Sequence, residues 1–219
     1  MALAIEADSV PSMKVTAIKQ QLKLRNRYSV YVDEQYSFSL SESALIESGM
    51  HSGLALTRED LDNYKKLSLD DKLYSQALRY VAMRQRTVWE TGFYLERKGI
   101  DPTLLTQILN KLSILGLIDD EKYARAYVND RLLLRPTSRR KIIMELKKKR
   151  IPEDTVQRIL AEKTDQEGGD SDHTALVSVI ARKRRQTKYQ DDKKLMQYLA
   201  RQGFGYGDIK AALSQDEDY

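Results

Sequence analysis

The chain has 219 residues, 41% hydrophobic and 32% charged, with three Phe, one Trp and no Cys. This balance favours several small modules over one large core, and the absence of cysteine excludes disulfides and thiolate metal sites and suits a reducing cytoplasm. The net charge of +5 is regional: residues 1–71 carry 8 basic and 11 acidic side chains, residues 72–213 carry 29 and 18, and 214–219 add three acids. An excess of Lys and Arg favours a polyanionic partner through counterion release, against the plainer reading of a solvated helical surface. No apolar run approaches membrane-spanning length, and Met1 to Ser12 lacks the charged start and apolar centre of a signal peptide. Those residues are expected to form a flexible leader, with Met13 as an alternative start.

From Lys14 to Ser41 the pattern has period two, in "KVTAIKQQLKL" and then "RYSVYVDEQYSFSL" with a turn at Asp33-Glu34. Val, Ile, Thr, Tyr and Phe alternating with polar residues predict about three short antiparallel strands in a hairpin-based sheet. A short helix follows from Ser41 to Gly49, with Ser41 as its cap and Glu42 at its positive end. A second starts after Thr57, where "TRED" places acids in the first turn.

From Leu73 to Leu213 the pattern is helical throughout. Thr87-Val88-Trp89-Glu90 is a capping box, Asp101-Pro102 a cap followed by proline at the first helical position, and Ile151-Pro152-Glu153 offers proline again. Gly99, Gly116 and Gly203 suit left-handed helix termini. The polar stretch "KTDQEGGDS" from Lys163 reads as the longest linker.

Three segments align without gaps: "YLERKGIDPTLLTQIL" from Tyr94, "ELKKKRIPEDTVQRIL" from Glu145 and "YLARQGFGYGDIKAAL" from Tyr198, offset by 51 and 53 residues. Five columns are apolar in all three: Leu95/Leu146/Leu199, Ile100/Ile151/Phe204, Leu105/Val156/Ile209, Ile108/Ile159/Ala212 and Leu109/Leu160/Leu213. They describe a helix, a tight turn and a second helix folded back. Each is preceded by a further helical run, "LYSQALRYVAMR", "DEKYARAYVNDRLLL" or "HTALVSVIARKRR". The fold class is therefore mainly α: three tandem three-helix repeats in an elongated array, behind a small N-terminal antiparallel β-hairpin or sheet with short helices. The expected divisions are a leader at 1–12, a β-containing domain at 13–71, repeats at 72–116 and 117–163, a linker at 164–171, a third repeat at 172–214 and an acidic tail at 215–219. The second copy carries Arg150 where the others have glycine, at a cost of about 1 kcal/mol if that residue is left-handed.

Catalytic candidates are scarce. His51 and His173 lack acidic or cysteine partners at ligand spacing, Asp119, Asp120 and Glu121 are explained as helix-start residues, and no phosphate loop or nucleophile elbow is present. A non-enzyme with no cofactor and no metal is expected. The informative cluster is "RPTSRRKIIMELKKKR": between Arg131 and Ile151 stand nine basic residues and one acid. Ile142, Ile143 and Leu146 share one helical face, while Arg140, Lys141, Lys147 and Lys148 gather on another, suited to phosphates or to an acidic protein groove. "RKRRQTK" from Arg182 adds a second basic run. Candidate contacts to such a polyanionic partner, nucleic acid foremost, are Arg131, Arg135, Arg139, Arg140, Lys141, Lys147, Lys148, Lys149, Arg150, Arg182, Lys183, Arg184, Arg185 and Lys188. Tyr189, Tyr198 and Tyr206 lie nearby; packing in a small helical core is the plainer account of them than stacking on bases.

"GLIDDEKYARAYVNDRL" from Gly116, followed by "RRKIIMELKKKRI", closely resembles the centre of the RecX family, bacterial regulators of the RecA recombinase. "ALRYVAMRQRTVWETGFYLERKGI" resembles that family's first repeat and "KLMQYLARQGFGYGDIKAAL" its last, so the resemblance covers roughly residues 73 to 213. It implies three tandem three-helix repeats, a role in homologous recombination, DNA repair and the SOS response, and binding to the RecA filament on single-stranded DNA, usually to restrain strand exchange, ATPase activity and filament stability. The family commonly has glycine where Arg150 stands and near Thr137-Ser138. The expected partners are the RecA filament and single-stranded DNA, with duplex DNA as a further candidate and no membrane; an elongated cytoplasmic monomer is the default because no heptad seam is present. The competing readings are an autonomous helical nucleic-acid-binding protein such as a transcription factor, and a pure protein-interaction scaffold.

Overall fold

The computed structural model of the chain describes residues 13–167 and 171–216. The expected leader at 1–12 lies outside them, as do Gly168-Gly169 of the expected linker and residues 217–219 of the expected tail. Strands β1 (Met13–Gln20), β2 (Arg27–Val32) and β3 (Gln35–Ser41) lead into helix α1 (Glu42–Glu47), strand β4 (Ala55–Leu56) and helix α2 (Arg58–Met83). There follow α3 (Val88–Glu96), α4 (Pro102–Ile114), α5 (Asp120–Asn129), α6 (Arg139–Lys148), α7 (Glu153–Glu167), α8 (Ser171–Arg184), α9 (Asp192–Arg201) and α10 (Tyr206–Asp216), with a π-helical turn at Asp130–Leu134 and a 3-10 turn at Thr187–Tyr189. The chain forms two compact units. Of the described residues, one unit holds those up to Arg84 together with Phe93–Leu112; the other holds Gln85–Gly92 and those from Ser113 onward.

In the first unit the sheet order is β3-β2-β1-β4, one strand more than the three expected, because two residues after α1 pair with Met13 and Lys14. Asp33 and Glu34 make the β2–β3 turn with φ of 48° and 66°. That left-handed geometry matches the strand twist but favours glycine. Hydrogen bonds to β1 offset the cost: Asp33 N–H donates to the Lys14 carbonyl, Lys14 N–H to Asp33 Oδ1 and Glu34 N–H to Thr16 Oγ1, each at 2.9 Å. Alternation places Val15, Val30, Val32, Phe38 and Leu40 on one buried face with Ala44, Met50 and Leu56.

Helix α2 closes this face. Thr57 and Asp60 form a reciprocal capping box at its start, and Tyr64 stacks on Phe38 with ring centroids 6.0 Å apart. Below them Arg27 is buried: Nη1 pairs with Asp71 at 2.8 Å, Nε donates to Ser39 Oγ, and Nη2 donates to the carbonyls of Ser39 and Ser68. Asp71 also accepts from Ser41 N–H and Oγ, so both carboxylate oxygens and most of the guanidinium donors are hydrogen-bonded, which is what lets the pair be buried. The expected boundary at 71/72 therefore falls inside a continuous 26-residue helix. Nothing between Arg58 and Met83 breaks it, since neither Gly nor Pro occurs there.

Helices α5–α7 and α8–α10 are two copies of one three-helix unit. Ala124 and Val128 of α5, Ile142 and Leu146 of α6, and Ile151, Val156, Ile159 and Leu160 form the first core. Leu176, Val179 and Ile180 of α8, Leu195 and Leu199 of α9, and Phe204, Ile209, Ala212 and Leu213 form the second. The recurring segment is a helix C-terminal motif. Ile151 N–H donates to the Leu146 carbonyl and Arg150 N–H to that of Lys147; Phe204 and Gly203 repeat the pattern on Leu199 and Ala200. Such a turn needs a left-handed residue with an apolar contact on either side. The aligned leucine and the apolar residue after the turn supply that contact. In the first copy Leu95, Ile108 and Leu112 are buried, Ile100, Leu105 and Leu109 are half-buried, and Gly99 takes the left-handed position. Arg150 does adopt a φ of 60°. Helix α7 runs on to Glu167, into the start of the expected linker.

Candidate nucleic-acid interface

Helix α6 begins on Ser138, whose Oγ accepts from Lys141 N–H, and presents Ile142 and Leu146 to its core. At 100° per residue its outer arc runs from Lys141 and Glu145 through Lys148 and Met144 to Arg140 and Lys147. The loop before it, Thr137-Ser138, is buried. Thr137 Oγ1, Ser138 Oγ and Ser138 N–H all donate to the Gln202 carbonyl at the end of α9. Lys141 Nζ donates to the Arg201 carbonyl and to Gln202 Oε1 at 3.0 and 2.8 Å. A helix end with unsatisfied carbonyls is thus capped by a hydroxyl pair and a cation from the neighbouring copy.

This docking leaves a cleft of about 270 Å³, lined by Arg131, Arg135, Lys141, Glu145, Arg182 and Tyr198 among others. Four cations face one carboxylate. Arg131 is held by Glu145 at 3.3 Å and by the Tyr127 hydroxyl, whose pKa is pushed up to about 12 by burial and by its hydrogen bond to Glu145. Arg182 Nη1 donates to the Leu134 carbonyl at 3.3 Å. A preset group of cations in a partly enclosed cleft can hold a phosphate without first ordering loose side chains.

The remaining candidates divide sharply. Arg135, Arg140, Lys148, Arg150 and Arg185 are exposed and make no ion pair among the described residues. Lys147 pairs with Glu153 at 3.5 Å, and Lys149 reaches Glu90. Arg139 is half-buried, with its N–H on Asp172. Arg184 binds Asp192 and the carbonyls of Tyr189 and Gln190. Lys183 lies over the rings of Tyr189 and Tyr198, and Lys188 over Tyr189. Both tyrosines pack on the core of α8–α10, while Tyr206 is 70% exposed. Lys141, Lys147 and Lys149 thus serve internal contacts that a helical wheel cannot reveal. The wheel also passes over Thr137, Ser138 and Gln202, whose only sequence signal is a short polar loop where glycine was expected.

The acids at the start of α5 have structural roles. Asp119 caps the helix, and Asp120 accepts from Val88 N–H at 2.8 Å while burial raises its pKa. Glu121 bridges Arg125 and Arg158.

Three family models match in chain order: the regulatory protein RecX N-terminal domain at 13–57, the RecX second three-helix domain at 119–160 and the RecX third three-helix domain at 170–213. The regulatory protein RecX of Lactobacillus delbrueckii subsp. bulgaricus is 30% identical over 203 residues, spanning 93% of this chain and 73% of the relative. This chain belongs to the RecX family. The regulatory protein RecX of Listeria monocytogenes is 26% identical over the same share of the chain and 76% of its own length. A crystal structure of regulatory protein RecX superposes with a TM-score of 0.67 at 25% identity, covering 92% of this chain and 99% of that one. RecX from Lactobacillus salivarius gives 0.54 at 25% identity, over 68% and 97%. The N-terminal RecX match ends at Thr57, the cap of α2, so the sheet is part of the family architecture as well. Among the described residues no helix is long and apolar enough to cross a membrane.

Proposed function

We propose that this RecX-family chain binds the RecA filament on single-stranded DNA and restrains its ATPase activity and strand exchange. The carrying observation is the cationic cleft at the junction of α6 and α9, flanked by cations that make no ion pair among the described residues. Arg131, Arg135 and Arg182 contact phosphate in the cleft, while Arg140, Lys148, Arg150 and Arg185 extend the positive surface beyond it. Lys141 instead holds the two copies in the register that forms the cleft.

The test is the RecA ATPase rate on single-stranded DNA while this protein is titrated at several salt concentrations. The expected result is a salt-sensitive fall at substoichiometric ratios, weakened in the Arg135→Ala/Arg140→Ala/Lys148→Ala variant. An unchanged rate with DNA binding intact would replace this reading with autonomous nucleic-acid binding.

A further inference from the structure

The helix after Asn129 does not end; it widens. Asp130–Leu134 is a π-helical turn closed by Arg135 N–H on the Asp130 carbonyl at 2.9 Å. Such turns are rare and occur frequently at functional sites. Of the three leucines in this turn, one faces inward. Leu132 packs on the core of α5–α7, whereas Leu133 and Leu134 are 73% and 69% exposed and no described residue covers them. Two adjacent leucines left in water at a fixed tip are unfavourable in the free protein.

The surroundings of this tip select its partner. Arg131 precedes it and Arg135 follows it, and both line the cationic cleft. Arg182 from α8 donates to the Leu134 carbonyl, so the backbone of the tip is tied to that cleft. An apolar tip beside a cationic cleft matches a nucleotide strand, in which charged phosphate and apolar base faces alternate.

We propose that Leu133 and Leu134 pack on the bases of a single-stranded nucleic acid whose phosphates occupy the neighbouring cleft. A single strand fits better than a duplex because its bases present their faces without first being unstacked. The inference rests on the reading of the cleft as a phosphate site, and deepens it by naming a base contact beside it.

Fluorescence anisotropy of the full chain, without recombinase, tests this on two labelled oligonucleotides of equal phosphate number, oligo-dT and its abasic counterpart. The wild type is expected to bind oligo-dT roughly tenfold more tightly than the abasic strand. Leu133→Ser/Leu134→Ser should bring oligo-dT down to the abasic affinity with its salt slope unchanged; Arg135→Ala should lower the slope on both strands by about 0.7. Equal wild-type affinities for the two strands, or a leucine variant that keeps the full preference, overturn the base contact while leaving the cleft standing. Salt-insensitive binding, or binding to neither strand, overturns the cleft reading and this one together. Should the leucine variant keep its base preference yet lose filament binding, the tip belongs to a protein surface and the proposal fails.

Discussion

Gly203 combines two demands that no other residue type meets together. Its φ of 88° is left-handed, and a Cβ there would lie 2.4 Å from Ser138 Oγ and 3.0 Å from Lys141 Cβ. Gly116 has a similar φ of 67° but open space around it. Gly116→Ala should therefore cost only the backbone term, about 1–2 kcal/mol, whereas Gly203→Ala adds overpacking of about 1–3 kcal/mol more. Urea denaturation of the two variants checks this difference; equal losses would remove the close approach as a cause. At Arg150 the logic reverses. Relief of its left-handed strain makes Arg150→Gly stabilising by up to about 1 kcal/mol, while the lost cation should weaken DNA binding. The buried Arg27–Asp71 pair gives the largest expected effect: Asp71→Ala strands a buried guanidinium and should cost about 3–5 kcal/mol, read as a fall in thermal midpoint.

Between elements, α5 and α7 are joined by a charge network instead of by more apolar surface. Glu121 accepts from Arg125 at 2.8 Å and from Arg158 at 3.0 Å, and Glu162 pairs with both arginines. The hydrogen bonds from Arg158 and Arg125 hold the Glu121 carboxyl down at about 2, and Arg125 lowers that of Glu162. A carboxylate held below its ordinary value of 4.5 contributes stability that is fully present above that pH and lost as pH falls towards 2. Asp120, raised by burial, works in the opposite direction. The thermal midpoint should drop between pH 4.5 and 2.5, and Arg158→Met should flatten that drop. Because these groups are exposed, salt should reduce the effect as well.

For the molecule as a whole, the three aligned segments of sequence carried most of the fold. A Schellman turn is local: five apolar columns and a left-handed position are set by residues within sixteen positions of one another, and all were readable. So were the caps at Ser41, Thr57, Thr87, Asp101 and Asp119, because each side chain bonds an amide two or three residues away. The basic character of residues 72–213 was equally legible, since charge needs no geometry to be counted. Tertiary structure alone decided which cations are available. Lys141 and Lys149 are spent on partners 59 to 61 residues away, and Arg27 on one 44 residues away. It alone merged the expected first helix of the repeats into α2 and left Leu133 and Leu134 exposed on a π turn. The physical reason is range: backbone turns and capping are fixed by neighbours along the chain, whereas ion pairing, burial and cleft formation depend on which distant segments the packed cores bring together.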